Sequence, residues 1–400
     1  MPPEPSVAQQ ELSAIVRLRA GKVFRARGGK STHAVRGYMA IRQSLFGGGE
    51  QHLIGLDISS SSVKLLELAR KGEGFHVETY AVEPLPPNAV SDKQITEPKL
   101  VAEAIGRAVN RAGTRTRQAA VAVSGAAVIS KIIEMPAALS DDEMEEQIRA
   151  EADQYIPYSI DEVNIDFEII GRNAKNGEVV DVLLAACRKE QVDQRGAALE
   201  LAGLRPKVID IETYALENAS RFLEHQMPDG GRGRTIAIVD IGATTMSVLI
   251  LHDRHTIYTR DQAFGGRQLT EEIMRQYGVS FYEATRAKRD GKLPEDYASD
   301  VLPSFVADMA IQIDRSLQFF FSAATQYTHI DQIILAGGCA HIERIDAKIQ
   351  ERLQIPTVVA RPFAQMSVGG RAKPASLARD EASLLIACGL AFRAFDEPKK

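Results

Sequence analysis

A short turn built from small polar residues lies directly after an aspartate that ends an apolar stretch. Asp57 and Ile58 precede the serine run 59–62, and Lys64 follows it. A tight turn of small residues exposes backbone N–H groups that can hold phosphate oxygens. A carboxylate at the same point can bind Mg²⁺ through the water molecules that the ion retains. The alternative is an ordinary serine-rich hairpin, and this turn alone does not separate the two interpretations.

A second turn of the same kind lies further along the chain. Asp240 and Ile241 precede Gly242, and Thr244 and Thr245 supply hydroxyl groups. Glycine permits a positive φ and a close approach of the backbone to a ligand. Two matching turns that face each other would hold a polyphosphate and its metal ion from both sides, which makes the pair a stronger signal than either turn.

Two glycine pairs complete the set of candidate residues. Gly337 and Gly338 follow the apolar run 333–336 and leave room for a nucleoside against bare backbone. Gly265 and Gly266 open a predicted helix, whose first N–H groups favour an anion. Ordinary turns at the ends of strands or helices remain the alternative for both pairs. The chain contains no GxxxxGK[ST] sequence, so a P-loop site is excluded.

The elements that position these residues repeat in two halves. Residues 52–70 and 235–253 each follow the order strand, tight polar turn, strand, because apolar residues flank both turns. The intervening segment 127–206 has the order β-α-β-β-α, and its first helix begins with Ser140 and Glu143 as a capping box. The repeat predicts two similar α/β halves that face each other across a cleft, where ligands commonly bind.

Composition narrows the class of protein. The chain has 400 residues, 48 Lys and Arg, 53 Asp and Glu and a net charge of -5, which argues against general nucleic-acid binding. Its three cysteines have no metal-ligand spacing, so neither a zinc site nor a disulfide framework is expected. A reducing, cytoplasmic compartment fits this cysteine usage. The sequence has neither an apolar stretch long enough to cross a membrane nor a secretory signal.

The first 50 residues differ from the rest in charge. They contain eight Lys and Arg against three Glu, without the period of a helix or a strand. One interpretation is a disordered basic arm for acidic lipid or nucleic acid. The other is a non-native extension, with translation starting at Met39.

The three motifs, in this order, resemble those of the actin-like ATPase superfamily, which includes actin, the Hsp70 chaperones, sugar kinases and FtsA. The stretches GLDISSSSVKLLEL, QYIPYSIDEVNIDFEII and IVDIGATTMSVLIL look more specifically like the PilM family of type IV pilus assembly proteins. The resemblance runs from about residue 40 to the end of the chain.

The resemblance implies two RNase H-like domains around a nucleotide cleft, with segment 127–206 as the family's SHS2-type subdomain, called 1C. It implies six segments in all, namely an N-terminal extension (1–50), the first part of domain 1 (51–126), the inserted subdomain (127–206), the return of domain 1 with the connection (207–234), domain 2 (235–384, with a subdomain around 265–328) and a C-terminal hinge helix (385–400). It also implies ATP and Mg²⁺ as cofactors. On the family's motifs, the metal and catalytic carboxylates are Asp57 and Asp240. The cofactor-binding positions are Ser59, Ser60, Ser61 and Lys64 in the first motif, Gly242, Ala243, Thr244 and Thr245 in the second, Gly337 and Gly338 in the third, and Gly265 and Gly266 as further contacts. Gly389 matches the second connection between the domains and is a hinge candidate.

Two departures from the superfamily put ATP hydrolysis in question. Ser59 stands where the first motif usually has glycine, although PilM-like sequences share this serine, and its side chain narrows the approach of a phosphate. Glu212 stands where Hsp70-type enzymes carry a Glu-Pro, and here Thr213 follows it. Glu212 is the candidate for orienting the attacking water. It is equally explained as a favourable charge at the start of a helix, so we expect weak ATPase activity at most.

The resemblance implies a function in assembly. A PilM-like protein docks the cytoplasmic tail of the inner-membrane protein PilN near the boundary of domain 1 and subdomain 1C, and nucleotide state would bias the domain angle. Other expected partners are the assembly ATPase or the platform protein, and membrane association is expected through partners alone. One alternative is an FtsA-like division filament, which needs a C-terminal amphipathic helix that this chain lacks. The other is a small-molecule kinase, which needs a carboxylate base near the γ-phosphate.

Overall fold

A computed structural model describes residues 52–91, 93–173 and 176–396 of the chain. The predicted N-terminal extension 1–50 and the last four residues of the predicted hinge helix lie outside these described residues. The strands are β1 (Ile54–Ile58), β2 (Ser62–Lys71), β3 (Gly74–Pro84), β4 (Val90–Ser91), β5 (Gln94–Ile95), β6 (Gln118–Val123), β7 (Val128–Pro136), β8 (Val163–Arg172), β9 (Val179–Arg188), β10 (Arg205–Ile211), β11 (Thr235–Ile241), β12 (Met246–His252), β13 (His255–Gln262), β14 (Gln332–Ala336), β15 (Thr357–Val359) and β16 (Ser367–Val368).

Helices cover both faces of the larger sheets. They are α1 (Pro98–Ala112), α2 (Asp141–Ala150), α3 (Ala152–Tyr155), α4 (Lys189–Leu201), α5 (Glu212–Ser220), α6 (Gly266–Tyr277), α7 (Phe281–Asp290), α8 (Leu302–Ala323), α9 (Ile345–Leu353), α10 (Pro374–Asp380) and α11 (Leu385–Phe392). The capping box predicted at the start of α2 is present, because the Ser140 side chain accepts from the Glu143 N–H and the Glu143 side chain accepts from the Ser140 N–H.

Two sheets have the same arrangement at their centres. In the first, with order β10-β6-β1-β2-β3-β16, β1 pairs antiparallel with β2 and parallel with β6. In the second, with order β13-β12-β11-β14-β15, β11 pairs antiparallel with β12 and parallel with β14. Asp57 therefore lies near the end of β1 as Asp240 lies near the end of β11. The predicted repeat of the two hairpins is thus a repeat in three dimensions.

A third, separate sheet lies between β6 and β10 in the chain. Its three strands have the order β7-β9-β8, and α2 and α3 supply much of the apolar cover. The domain limits stated above stay a prediction, but this sheet has its own buried cluster around Met135, Met144 and Ile148.

Several elements differ from the sequence interpretation. The predicted helix that begins with the capping box is interrupted at Glu151, which separates α2 from α3. The Gly337-Gly338 turn leads into a single 3₁₀ turn, Gly338–His341, and α9 begins only at Ile345. In α8, Phe319 is 46% exposed, whereas the neighbouring Phe320 is buried. Strands β10 and β16 have no counterpart in the sequence interpretation.

Two glycines allow α11 to pack against its neighbours. A Cβ atom on Gly389 would lie 1.8 Å from the carbonyl oxygen of Ala215 in α5. A Cβ atom on Gly55 in β1 would lie 2.2 Å from the carbonyl oxygen of Ala387 and 2.4 Å from the backbone nitrogen of Ala391. These are backbone contacts that a side-chain rotation does not relieve, so α11 is held against both α5 and β1.

We expect Gly389→Ala to lower the free energy of unfolding by about 1–3 kcal/mol, because the added methyl group overpacks the contact between α11 and α5. Gly106→Ala in α1 is the matched control, since a Cβ atom there meets nothing within 4 Å. The control should raise stability by about 0.5–1 kcal/mol, through helix propensity alone. Thermal unfolding followed by circular dichroism measures both, and equal effects of the two substitutions would contradict the tight contact.

Candidate functional site

The first turn positions an ion pair at the end of the first sheet. Asp57 and Lys64 are directly opposite each other in the β1–β2 pairing, and Lys64 Nζ lies 2.8 Å from Asp57 Oδ2. Asp57 is buried. Burial alone would lower the pKa of Lys64, but the carboxylates of Asp57 and Asp240 outweigh it and raise the pKa. Lys64 is therefore held charged at neutral pH.

The serine turn is closed by its own first and last residues. The backbone N–H of Ser59 donates to the carbonyl of Ser62 at 3.0 Å, and the Ser59 hydroxyl donates to the same oxygen at 2.9 Å. Within the described part of the chain, the N–H groups of Ser60 and Ser61 donate to no other residue. The turn thus keeps two amides available at its tip, which is the property that an anion site requires.

The second turn has the same closure. The N–H of Gly242 donates to the carbonyl of Thr245 at 2.9 Å, which brings Asp240 to the start of the turn. Asp240 is partly buried, and no Lys or Arg of the described residues forms an ion pair with it. Burial, more than the nearby Asp57, raises the pKa of Asp240 to about 6, although Lys64 acts in the opposite direction.

The two turns meet. Ser60 Oγ and Thr244 Oγ1 form a hydrogen bond of 2.8 Å between residues that are 184 positions apart in the chain. This contact brings together the ends of β1 and β11, and with them Asp57, Lys64 and Asp240, whose charges interact. The residues that the sequence grouped into two phosphate motifs therefore form one site between the first and the second sheet.

Glu212 joins this site with a partner that sequence reasoning missed. Lys93 Nζ lies 2.8 Å from Glu212 Oε2, and Glu212 is buried at the start of α5. Burial alone would lower the pKa of Lys93, but Glu212, Asp57 and Asp240 raise it. Lys93 adopts a positive φ of 64° in a short loop. No periodic pattern in the sequence marks such a position, so nothing there pointed to it.

The loop of Lys93 is fixed by a second missed residue. Arg195 of α4 is buried, and its guanidinium donates to the carbonyl of Lys93 at 2.9 Å and to that of Ala122 at 2.6 Å. A buried arginine that bonds to backbone carbonyls holds two chain segments together. Arg195 thereby sets where the Lys93 ammonium lies relative to Glu212.

The Gly265-Gly266 pair packs against the second turn. The N–H of Gly266 donates to the carbonyl of Gly242 at 3.0 Å, and that of Arg267 donates to the carbonyl of Ala243 at 2.8 Å. A Cβ atom on Gly265 would lie 2.6 Å from the carbonyl oxygen of Ala243. The first N–H groups of α6 therefore hold the second turn in place, instead of pointing freely into the cleft as the sequence suggested.

The Gly337-Gly338 turn is equally close to the second sheet's central strand. Gly337 has a φ of 83°, and a Cβ atom on it would lie 2.5 Å from the carbonyl oxygen of Ile241. Its N–H donates to the carbonyl of Ala382 at 2.8 Å. A Cβ atom on Gly338 would meet nothing within 4 Å, so this residue has open space beside it.

Lys288 is a further, partly buried cation that the sequence interpretation missed. Its ammonium donates to the carbonyl of Gly266 at 2.8 Å and to the Thr270 hydroxyl at 2.7 Å. Burial lowers the pKa of Lys288. The start of α6 is thus fixed from one side by Lys288 and from the other by the second turn.

The chemistry of these side chains fits a magnesium–polyphosphate group. Lys64 and Lys93 provide positive charge, the tip of the first turn provides free amides, and Asp57 and Asp240 provide carboxylates. Among the described residues, no three His, Cys, Asp or Glu side chains come together as a metal site. Mg²⁺ commonly uses one or two carboxylates together with water and phosphate oxygens, and a pair of carboxylates meets that requirement.

Comparisons with known proteins place this fold and site in a family. The family described as "Type IV pilus assembly protein PilM" matches residues 55–395. A solved structure titled "PilM-PilN type IV pilus biogenesis complex" has 27% sequence identity and a TM-score of 0.72, over 88% of this chain and 100% of that one. The ethanolamine utilization protein EutJ from Carboxydothermus hydrogenoformans has 15% identity and a TM-score of 0.51, over 88% of this chain and 93% of that one.

The match to EutJ supports the fold alone, whereas the family match covers the first turn, the second turn and the glycine pairs. In the part of the chain that the structure describes, no helix is long and apolar enough to cross a membrane. The chain has the actin-like ATPase fold, and it belongs to the PilM family of type IV pilus assembly proteins.

Proposed function

We propose that this chain is a nucleotide-binding protein of the type IV pilus inner-membrane assembly complex. In this proposal it binds ATP and Mg²⁺ between its two main sheets and docks the cytoplasmic tail of a PilN-like membrane protein. The observation that carries the nucleotide part is the Ser60–Thr244 hydrogen bond, because it brings both phosphate-type turns to one site. The family match carries the pilus part.

Each group of site residues has a role in this proposal. Asp57 and Asp240 hold Mg²⁺ through its water shell, and Lys64 neutralises phosphate charge beside them. The serine amides of the first turn and the second-turn residues 242–245 surround the phosphates, whereas Gly337 and Gly338 border the nucleoside. Gly265 and Gly266 act indirectly, by fixing the second turn. Since Ser60 and Thr244 bond to each other, phosphate binding between the turns has to replace that bond.

Hydrolysis is the weaker part of the proposed activity. A general base must accept a proton from the attacking water. Glu212 is the candidate, but its carboxylate already forms an ion pair with Lys93 at 2.8 Å, and this contact competes with a hydrogen bond to the attacking water. We therefore propose weak ATPase activity at most, with nucleotide binding as the event that matters for assembly.

The partner proposal rests on the family and on the likeness to the PilM–PilN complex. We propose that the tail docks near the junction of the first sheet and the three-stranded sheet. At this junction the Arg188 guanidinium lies 4.5 Å from the centre of the Tyr158 ring, and Lys189 Nζ donates to the carbonyl of Asp161. The assembly ATPase or the platform protein would bind elsewhere. The proposed location is the cytoplasm, next to the inner membrane.

Calorimetric titration with ATP tests the nucleotide site. We expect micromolar binding that depends on Mg²⁺, and a loss of at least about tenfold in Asp240→Asn, because a charge-bearing ligand to the ion is removed. Asp314→Asn is the control, since Asp314 is an exposed carboxylate of α8 outside the site. A complete lack of binding at millimolar ATP, or equal binding by both variants, would refute the nucleotide part.

The raised pKa of Asp240 predicts a pH dependence of stability. Its pKa is about 6 in the folded protein because of burial, compared with 3.8 for an ordinary aspartate. At a pH between these two pKa values, Asp240 keeps its proton in the folded protein and has lost it in the unfolded chain. The free energy of unfolding therefore falls as the pH rises from about 4 to 6. Asp240→Asn should remove this fall. Urea denaturation of both proteins at about pH 4 and pH 7 measures it, and a constant difference between the two proteins would contradict the assignment.

A synthetic peptide of the PilN cytoplasmic tail tests the partner proposal. We expect binding by calorimetry, with an affinity that changes when ATP is present. Tyr158→Ser with Arg188→Ser should weaken it at least about tenfold, since aromatic and arginine side chains often dominate interfaces. Tyr282→Ser with Arg286→Ser, two exposed residues of α7, is the matched control. Equal weakening by both pairs of substitutions would show that the tail does not dock at this junction.

A further inference from the structure

The end of the first sheet opposite the candidate site has its own chemistry. β1, β6 and β10 are parallel, so their carboxyl ends lie together at the site, and their amino ends lie together at the opposite end of the sheet. The loop 113–117 before β6, the start of β10 and the first described residue, His52, all lie at that amino end. This end of the sheet carries a set of exposed basic side chains.

A buried glutamate shapes the loop before β6. Glu67 is 3% exposed and accepts hydrogen bonds from the hydroxyl of Thr114 at 2.6 Å and of Thr116 at 2.5 Å. The two threonines therefore point inward, and the residues between and beside them, Arg115 and Arg117, are exposed. Because both threonines bond to the buried Glu67, the backbone of the loop is fixed, and with it the positions of Arg115 and Arg117.

A third arginine lies directly beside this loop. The N–H of Arg205 donates to the carbonyl of Arg117 at 2.7 Å, and Arg205 is exposed at the start of β10. In the described part of the chain, neither Arg115, Arg117 nor Arg205 forms an ion pair with a carboxylate. We call these three residues the arginine edge. The Arg117 guanidinium donates to the carbonyls of Thr114 and Thr116. Because no carboxylate of the described residues neutralises the three arginines, their charge stays available to an anion.

An apolar side chain accompanies the arginine edge. Leu201, at the end of α4 and four residues before Arg205, is 61% exposed. Removing an exposed leucine side chain from water is favourable, so Leu201 favours a ligand or surface that covers it. The neighbouring Glu200 is an exposed carboxylate at this edge, while Glu67 is buried by the threonines.

The charge of the whole chain makes this edge unusual. Residues 1–50 carry eight Lys and Arg against three Glu, a net +5, while the whole chain carries -5. The rest of the chain is therefore acidic as a whole. The first described residue, His52, lies at the same end as the arginine edge. The arginine edge is therefore a local basic feature of an otherwise acidic part of the chain.

We propose that the arginine edge binds an anionic phospholipid surface, with Leu201 entering the headgroup region. Basic side chains near an anionic bilayer each contribute about 1 kcal/mol, and an apolar residue among them adds to this. The pairing of arginines with an exposed aliphatic residue favours lipid over single-stranded nucleic acid, because a face for single strands would use stacking aromatic rings. This inference goes beyond the proposed function, in which a protein partner supplies the membrane contact, and it does not depend on nucleotide or peptide binding.

Co-sedimentation of the full chain with lipid vesicles tests the proposal. The probes are vesicles of phosphatidylcholine alone and vesicles in which about a third of the lipid is phosphatidylglycerol. The test variant is Arg115→Ser/Arg117→Ser/Arg205→Ser, and a further variant is Leu201→Ser. The charge-matched control is Arg232→Ser/Arg315→Ser/Arg352→Ser, three exposed arginines that lie outside the first sheet and the arginine edge. Circular dichroism verifies that each variant is folded.

We expect binding to the anionic vesicles alone, weakened on the order of 100-fold in the test variant, since each arginine accounts for about a factor of five. Leu201→Ser should weaken binding by about tenfold, and the control should bind like the original chain. Unchanged binding by the test variant would assign the interaction to the basic N-terminal segment and overturn the proposal. Equal losses in test and control variants, or tighter binding to an RNA or DNA oligonucleotide than to the vesicles, would also overturn it.

Discussion

The close packing of α11 against α5 and β1 determines where the first motif, Glu212 and the third motif lie. Gly389 contacts Ala215 of α5, and Gly55 of β1 contacts the backbone of α11. Gly55 is two residues before Asp57, and α5 begins with Glu212. The turn before α11 holds the third motif, because the carbonyl of Ala382 accepts from the N–H of Gly337. A side chain at either glycine would push apart elements whose ends carry the site.

Electrostatics distinguish one of the three site carboxylates from the other two. Ionised carboxylates that are removed from water are costly unless a partner compensates the charge. Lys64 pairs with Asp57, and Lys93 pairs with Glu212. Asp240 has no ion-pair partner among the described residues, and burial raises its pKa to about 6. Lys64 and Lys93 act on Asp240 without forming an ion pair in contact with it. A divalent cation would stabilise the ionised Asp240 carboxylate directly, which supports Mg²⁺ in the proposed function.

The sequence predicted the parts of the fold that depend on local pattern. The two hairpins, the capping box of α2 and the Gly-rich turns follow from residues that are adjacent in the chain. It did not predict β16, two residues whose partners in β3 lie 291 positions earlier. Nor did it predict Lys93 and Arg195, because a loop lysine and a helical arginine give no signal until the fold brings them to Glu212. Site residues supplied by turns were therefore accessible from sequence, whereas the residues that pair with them were not.

The contacts between the two halves differ in strength between the site and the packed helices beneath it. Beneath the site, α5 and α11 pack backbone against backbone, and Arg393 forms a buried ion pair with Asp210 near the end of β10. At the site, the contact between the turns is a hydrogen bond of two neutral hydroxyls, Ser60 and Thr244. Such a bond contributes about 0.5–1.5 kcal/mol, while separating packed helices exposes buried apolar surface and costs more. A phosphate that replaces this bond would therefore change the distance between the turns more easily than the packing beneath them. In the proposed function, this difference in stiffness lets nucleotide state alter the angle between the halves while the shared core stays intact.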